Sequence, residues 1–426
     1  KTGGVILFVI RFLKTLNKEG SLVYCMTSRR WTWDLEKIKS KRVSKDVVVH
    51  TTLQMNSLPK LVQIGFMSAA CLGSNFNASI LGKTIEDEEF DVCSFLEIGK
   101  DGGYIEESGL GSFSWTHDQI QQAAYDLIPP TQRESFHYQL GQMLLENSTN
   151  CEMKRDALFF IVDNMNKGVD LKLDRNQKTQ LAGLNLQAGN IAISTSRFHA
   201  AAEYLQTGIS LLIKDSWIQQ YDLTIQLYDA ALEAYYTAGQ FSKFDAAVKQ
   251  PLTHARCFED KLNSYHNLVR YLTASGKSEE ALETCLSVLR TLGVEISPNA
   301  NAESLLTEAI SVKEIIRNSH IHNLLDLPKM EDFDKMAAMT FLNTAVLCSY
   351  ETNEFTFFFV ICRMVKLSVR HGLCSISAVA FSLYGALVRF DQYQPRPSIS
   401  FTNSSHALPS IFTHPFSVDL PDYFRF

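Results

Sequence analysis

No two cysteines of this 426-residue chain have CxxC spacing. The nine, Cys25, Cys71, Cys93, Cys151, Cys257, Cys285, Cys348, Cys362 and Cys374, are scattered and odd in number. That excludes a disulfide framework and predicts reduced thiols in a cytoplasmic compartment, most of them small buried residues. Long apolar runs are also missing. The longest, Val5 to Ile10 and Phe355 to Ile361, fall far short of the ~20 residues that span a bilayer, so no membrane partner is expected. Basic residues are not in excess: 40 Lys and Arg stand against 46 Asp and Glu, a formal charge of −6. No face or tail is strongly basic, which argues against nucleic acid and anionic membranes as partners. The chain has no initiator Met and no signal-peptide layout, and Lys1 reads as an internal start and the chain as a fragment.

Catalytic signatures are equally scarce. There is no GxSxG, no HExxH and no Ser-His-Asp set that spacing supports. The triplet Gly82-Lys83-Thr84 looks like a phosphate loop, but the required earlier glycine is replaced by Asn77, and no acidic strand end is placed to hold Mg²⁺. The chain alone is therefore expected not to hydrolyse ATP and to hold no cofactor. His254 and Cys257 are predicted i, i+3 on a helix, and His320 and His322 alternate in a polar turn. Neither pair has the further ligands that zinc requires, so no metal site is expected.

With 46% hydrophobic and 20% charged residues, the chain can bury one extended core or two to three compact ones. It is arranged around Phe113 to Ile128. Phe113 and Trp115 alternate with small polar residues, a strand pattern, and from His117 the period becomes helical, with Ile120, Ala123, Ala124, Leu127 and Ile128 on one face. Asp118 or Thr116 is placed to cap that helix, with His117 packed at the joint. Pro129-Pro130 stops it, and Thr131 to Glu134 has the form of a capping box opening another helix that carries Phe136, Leu140, Met143 and Leu144 inward.

Upstream, the pattern predicts a helix over 1–20 stopped by Gly20, a strand pair over 22–26 and 30–34, and helices over 46–57, 60–72 (stopped by Gly73), 77–81 and 86–98. A turn at 100–103 and a two-stranded ribbon, 104–107 with the strand of Phe113 and Trp115, follow. Three main helices and a ribbon are the layout of a winged helix. Its groove-facing helix would be Glu86 to Ile98, with six carboxylates and no Lys or Arg, which would repel a duplex.

From about 150 to 390 two helices and a tight turn recur. The clearest unit is Lys261–Ala274 with Ser278–Leu292, and others pair Asp222–Ala238 with Phe241–Val248 and Leu181–Ile193 with Phe198–Leu212. The turns fall near 196, 239 and 276, steps near the ~34 residues of tetratricopeptide repeats. Further helices are expected at 302–317, 335–350, 353–371 and 375–390. Stacked hairpins form a solenoid whose concave face binds a protein partner or a small ligand. Five of the eleven prolines then fall in the last 36 residues, a poorly ordered tail.

Trp115-Thr-His-Asp-Gln-Ile-Gln-Gln-Ala-Ala-Tyr-Asp-Leu-Ile128 resembles a motif of large signalling ATPases of the AAA/STAND type, whose ATPase module lies between serine/threonine-kinase-like and histidine-kinase domains. Supporting matches are Lys1-Thr-Gly-Gly, Trp31-Thr-Trp-Asp34, Leu184 to Gly189 with Ala200 to Leu205, and Arg363 to Gly372. The resemblance covers residues 1–390 and implies an upstream nucleotide-binding core, with its phosphate loop, ATP or ADP and Mg²⁺, in an intact parent. It also implies a nucleotide-sensing role for His117 and Asp118, since Thr116-His117-Asp118 is similar in placement to the Met-His-Asp motif that ends the winged helix of the wider class. The expected fold is mostly α: the end of an ATPase lid with a small strand pair (1–34), a winged-helix domain (35–146), a tetratricopeptide-like solenoid (150–390) and the tail (391–426). The expected function is coupling of nucleotide state to partner binding; a stand-alone repeat scaffold is the alternative.

Overall fold

In a computed structural model the described residues are 9, 13, 16, 17, 19–40, 47–85, 87–147, 151–297, 301–318 and 327–392. Most of the expected 1–20 helix and of the 391–426 tail lies outside them, as do His320 and His322. The chain divides into two compact units, residues 1–191 with 207–213 and residues 192–206 with 214–426.

In the first unit Gly20 takes φ 68°, and the Ser21 amide reaches back to the Leu16 carbonyl at 2.9 Å, so Gly20 stops a helical turn as its position predicts. Strands β1 (Leu22–Cys25) and β2 (Arg30–Trp33) pair antiparallel with Tyr24 opposite Trp31. A short α1 (Leu35–Ser40), absent from the sequence reading, starts at Asp34, whose carboxylate accepts the Lys37 amide at 3.1 Å. Helices α2 (Val47–Asn56) and α3 (Lys60–Leu72) lie close to their expected spans. An unexpected strand, β3 (Asn75–Asn77), precedes α4 (Ala78–Gly82). Three residues with one inward side chain, Phe76, carry no alternation to read.

The expected 86–98 helix is displaced. Helix α5 runs Val92–Asp101 because Asp91 takes the N-cap, its two carboxylate oxygens accepting the Cys93 and Ser94 amides at 3.1 and 3.0 Å. Asp87, Glu88 and Glu89 lie in the turn before it, and Glu86 lies outside the described residues. The helix itself therefore holds Glu97 and Asp101 with Lys100, not six carboxylates. Strands β4 (Ile105–Gly109) and β5 (Ser112–Trp115) complete an antiparallel sheet of order β3-β5-β4. Phe66 of α3 is fully buried beneath it and meets Phe95 and Tyr104 edge-on, at centroid distances of 5.0 and 5.3 Å.

Helix α6 (Asp118–Tyr125) follows β5 directly, then α7 (Arg133–Glu146) and α8 (Cys151–Asn166). The capping box expected at Thr131 to Glu134 does not form. Pro130 opens a 3₁₀ turn through Gln132, and Gln132 holds the N-cap of α7 with no side-chain bond; the fixed proline φ favours that tighter turn.

Helices α9 (Arg175–Ser194) and α10 (Phe198–Ser210) have residues in both units. The second unit continues with α11 (Ser216–Gln219), α12 (Tyr221–Thr237), α13 (Phe241–Ala247), α14 (Lys249–His254), α15 (Leu262–Ala274), α16 (Ser278–Thr291), α17 (Ala302–Asn318), α18 (Phe333–Thr352), α19 (Glu354–His371) and α20 (Ser377–Gln392). Helix α14 ends at His254, and the extended Ala255 that follows leaves Cys257 off the helix, so the expected i, i+3 relation of His254 and Cys257 does not exist. His254 instead stacks on Trp217 at 5.5 Å.

The turns share one geometry. Ser196, Gly239 and Gly276 have φ 59°, 70° and 74°, and the amides of Arg197, Gln240 and Lys277 bond the carbonyls five residues earlier at 2.8, 2.8 and 2.9 Å, the Schellman form of helix ending. Helix α18 packs against both members of the α15–α16 hairpin, and α19 packs against α17, α18 and α20. Val269, Cys285, Leu289, Leu342, Ile361 and Met364 are buried in this one core.

Candidate functional site

The strand-to-helix joint is fixed from three sides. The indole Nε1 of Trp115 donates to the Gly73 carbonyl at 3.0 Å, binding the end of β5 to the end of α3. The Thr116 hydroxyl donates to the Gly103 carbonyl at 2.9 Å, so it does not cap α6. The Gln121 side-chain amide donates to the Ala70 carbonyl at 3.2 Å. Ile120, Ala123 and Ala124 are fully buried and Ile128 nearly so, as the sequence period predicts, while Leu127 of the same predicted face is only half-buried.

The cap falls to His117, not to Asp118 or Thr116. His117 is extended (φ −166°, ψ 145°), and its Nδ1 accepts the Gln119 amide at 3.1 Å. An accepting Nδ1 places the proton of the neutral ring on Nε2, and Nε2 has no partner among the described residues. The ring is exposed, as is Asp118 in the first turn. The joint therefore presents one outward N–H donor at a helix N-terminus beside one carboxylate. The donor and the helix dipole favour an anion there, and the carboxylate opposes it.

Gly82-Lys83-Thr84 has the opposite polarity to a phosphate loop. Lys83 is the C-cap of α4, its amide directed to the Ile80 and Leu81 carbonyls, and the buried Thr84 hydroxyl donates to the Leu81 carbonyl at 2.7 Å. A phosphate loop presents amides at the start of a helix, whereas this is the carbonyl end of one. Among the residues described, no group of three or more His, Cys, Asp and Glu side chains could hold a metal.

Behind the joint lies a group that spacing did not reveal. His137 of α7 is 1% exposed; its Nδ1 lies 2.7 Å from Asn164 Oδ1 of α8, and its Nε2 lies 3.1 Å from the Tyr125 hydroxyl of α6 and 3.8 Å from Cys71 Sγ of α3. Asn164 Nδ2 donates to the Phe160 carbonyl at 2.8 Å, which turns Oδ1 to the ring. His137 Nδ1 therefore donates, and Nε2 accepts from Tyr125 and Cys71, a fully used neutral imidazole. Burial lowers the His137 pKa, the Asn164 bond partly opposes this, and Lys167 and Arg133 add to the lowering. Burial pushes the Cys71 thiol up to about 12, so it stays a donor. One side chain thus links four helices. Its only trace in the sequence is a histidine between Phe136 and Tyr138 on a helix that is otherwise apolar on that face.

No known family pattern matches the chain. It is similar to "Hybrid signal transduction histidine kinase G" of Dictyostelium discoideum, at 20% identity over 470 aligned positions, covering 92% of this chain and 14% of that protein. The chain thus spans about one seventh of the length of the relative it matches. A crystal structure of a STAND protein with a tetratricopeptide-repeat sensor from Pyrococcus horikoshii aligns with 83% of this chain and 52% of its own, at 12% identity and a TM-score of 0.28, a value too low to establish a shared fold.

Proposed function

We propose that this chain is the regulatory and protein-interaction portion of a signalling ATPase, coupling the nucleotide state of an upstream core to a partner or ligand held on helical hairpins. The observation that carries the proposal is the joint at Trp115 to Asp118, where β5 runs without a loop into α6 and His117 offers its outward N–H at the turn. In this account residues 35–146 act as a winged helix, supported by three helices, α3, α4 and α5, interleaved with a sheet of order β3-β5-β4. Residues 150–390 act as a tetratricopeptide-like solenoid, supported by the repeated turn geometry at 196, 239 and 276. The signalling class is supported by the similarity to a signal transduction histidine kinase.

ATP or ADP and Mg²⁺ belong, on this account, to the intact parent, and this chain neither hydrolyses nucleotide nor binds nucleic acid. No helix of the described residues is long and apolar enough to cross a membrane, which is compatible with the cytoplasmic placement we propose. Incubating the purified chain with Mg²⁺ and ATP should give no turnover above buffer and no saturable binding. Turnover that disappears in Lys83→Ala would overturn the non-catalytic assignment. A stand-alone repeat scaffold is the second reading, favoured by the one core that helices α15 to α20 share.

A further inference from the structure

The first unit contains a cavity of about 440 Å³ between α3, α7 and the turn leading into α5, within the range of small-molecule sites. The helices supply a mostly apolar wall, Ile64 of α3 with Phe136, Leu140 and Met143 of α7, to which Gln139 of α7 adds one polar side chain. Its rim is acidic where the turn supplies it, through Asp87 and Glu88. Both carboxylates are exposed, and neither pairs with a cation of the described residues. One Asp87 oxygen accepts the Glu89 amide at 2.9 Å, which holds the turn.

A second observation is independent of that charge. Ser68 of α3 lines the same cavity, is 1% exposed, and its hydroxyl has no hydrogen-bond partner among the described residues. The neighbouring Thr84 hydroxyl is, by contrast, committed to the Leu81 carbonyl. A buried hydroxyl left unpaired is destabilising, and an occupant that reaches it would remove that cost.

We propose that this cavity binds a small organic ammonium compound, with its apolar body on Ile64, Phe136, Leu140 and Met143 and its charge at Asp87 and Glu88. An anionic molecule of the same shape would be repelled by the two carboxylates, and a neutral one could offer them a hydrogen bond but no ion pair. A site of this composition is unrelated to the nucleotide-coupling role above, and it stands or falls without it.

Phenethylammonium and its neutral isostere 2-phenylethanol, titrated separately into the whole chain and followed by methyl NMR at Met143 and amide NMR at Ser68, test the assignment. The ammonium probe should saturate both signals below about 10 mM, the alcohol should bind about ten-fold more weakly, and the ammonium affinity should fall as salt is raised. The double substitution Asp87→Asn with Glu88→Gln should bring the ammonium probe to the level of the alcohol. Both positions are exposed, and the asparagine keeps the oxygen that holds the turn, so the fold should be retained, checked by an unchanged thermal midpoint. Equal binding of the two probes, no saturation by the ammonium probe, or affinity unaffected by the double substitution would each overturn the proposal.

Discussion

His137 is held neutral by what surrounds it. With Nδ1 donating to Asn164 and Nε2 accepting from Tyr125 and Cys71, a second ring proton would face two donors in a buried place. Its pKa in the fold is therefore below the ordinary 6.5. Above 6.5 the ring is neutral both folded and unfolded, and its stabilisation is complete. As the pH falls below that value the unfolded chain takes up the proton first, so stability declines until the lowered folded value is passed. Chemical denaturation at a series of pH values should show this decline, and His137→Leu should remove that part of it. The same substitution leaves the Asn164 oxygen unpaired and should cost about 2–4 kcal/mol at neutral pH. His117 makes a smaller structural contribution: His117→Ala should cost about 1 kcal/mol through the lost cap, and His117→Asn should restore most of it.

At the scale of elements, the hairpin turns show what was legible. Gly239 and Gly276 marked two of them, and Ser194-Thr-Ser196 marked the third only because periodic helices flank it. All three close with a left-handed residue, and Ser196 is the one that carries a side chain. Ser196→Gly should therefore be neutral or stabilising by up to about 1 kcal/mol, while Gly276→Ala should cost about 1 kcal/mol, both read from denaturant midpoints. Gly141 is a close approach instead: a Cβ there would lie 2.4 Å from Met165 Cγ and 2.9 Å from the Ile161 carbonyl. Gly141→Leu should separate α7 from α8 and lower the melting temperature by several degrees. Helices from α15 to α20 were readable because their apolar period runs for three turns or more. The region before α6 was less so, for a physical reason. β3 is three residues long, and the start of α5 was decided by a local bond from Asp91 that overrode the good helix propensity of the glutamates before it. At the joint the strand-to-helix switch was legible at Trp115 to His117, but the identity of the capping group was not. Nothing in spacing tells which of Thr116, His117 and Asp118 caps α6, and the Thr116 bond to Gly103 and the His117 bond to Gln119 settle it only in three dimensions.

For the whole molecule, the chain divides into two compact units, and the proposed coupling requires that the joint of the first unit respond to nucleotide held elsewhere in a longer protein. A ligand shifts such an equilibrium only through a difference in its affinity for the two states. The most direct measurement is ADP affinity, by calorimetry, of a longer protein in which this chain follows its nucleotide-binding core, compared among wild type, His117→Ala and His117→Asn. The account predicts that both substitutions weaken ADP by about ten-fold, since both remove the Nε2 donor although the asparagine keeps the cap. Equal ADP affinity in all three proteins, or a loss in His117→Ala that His117→Asn repairs, would contradict it and leave His117 as a helix cap alone.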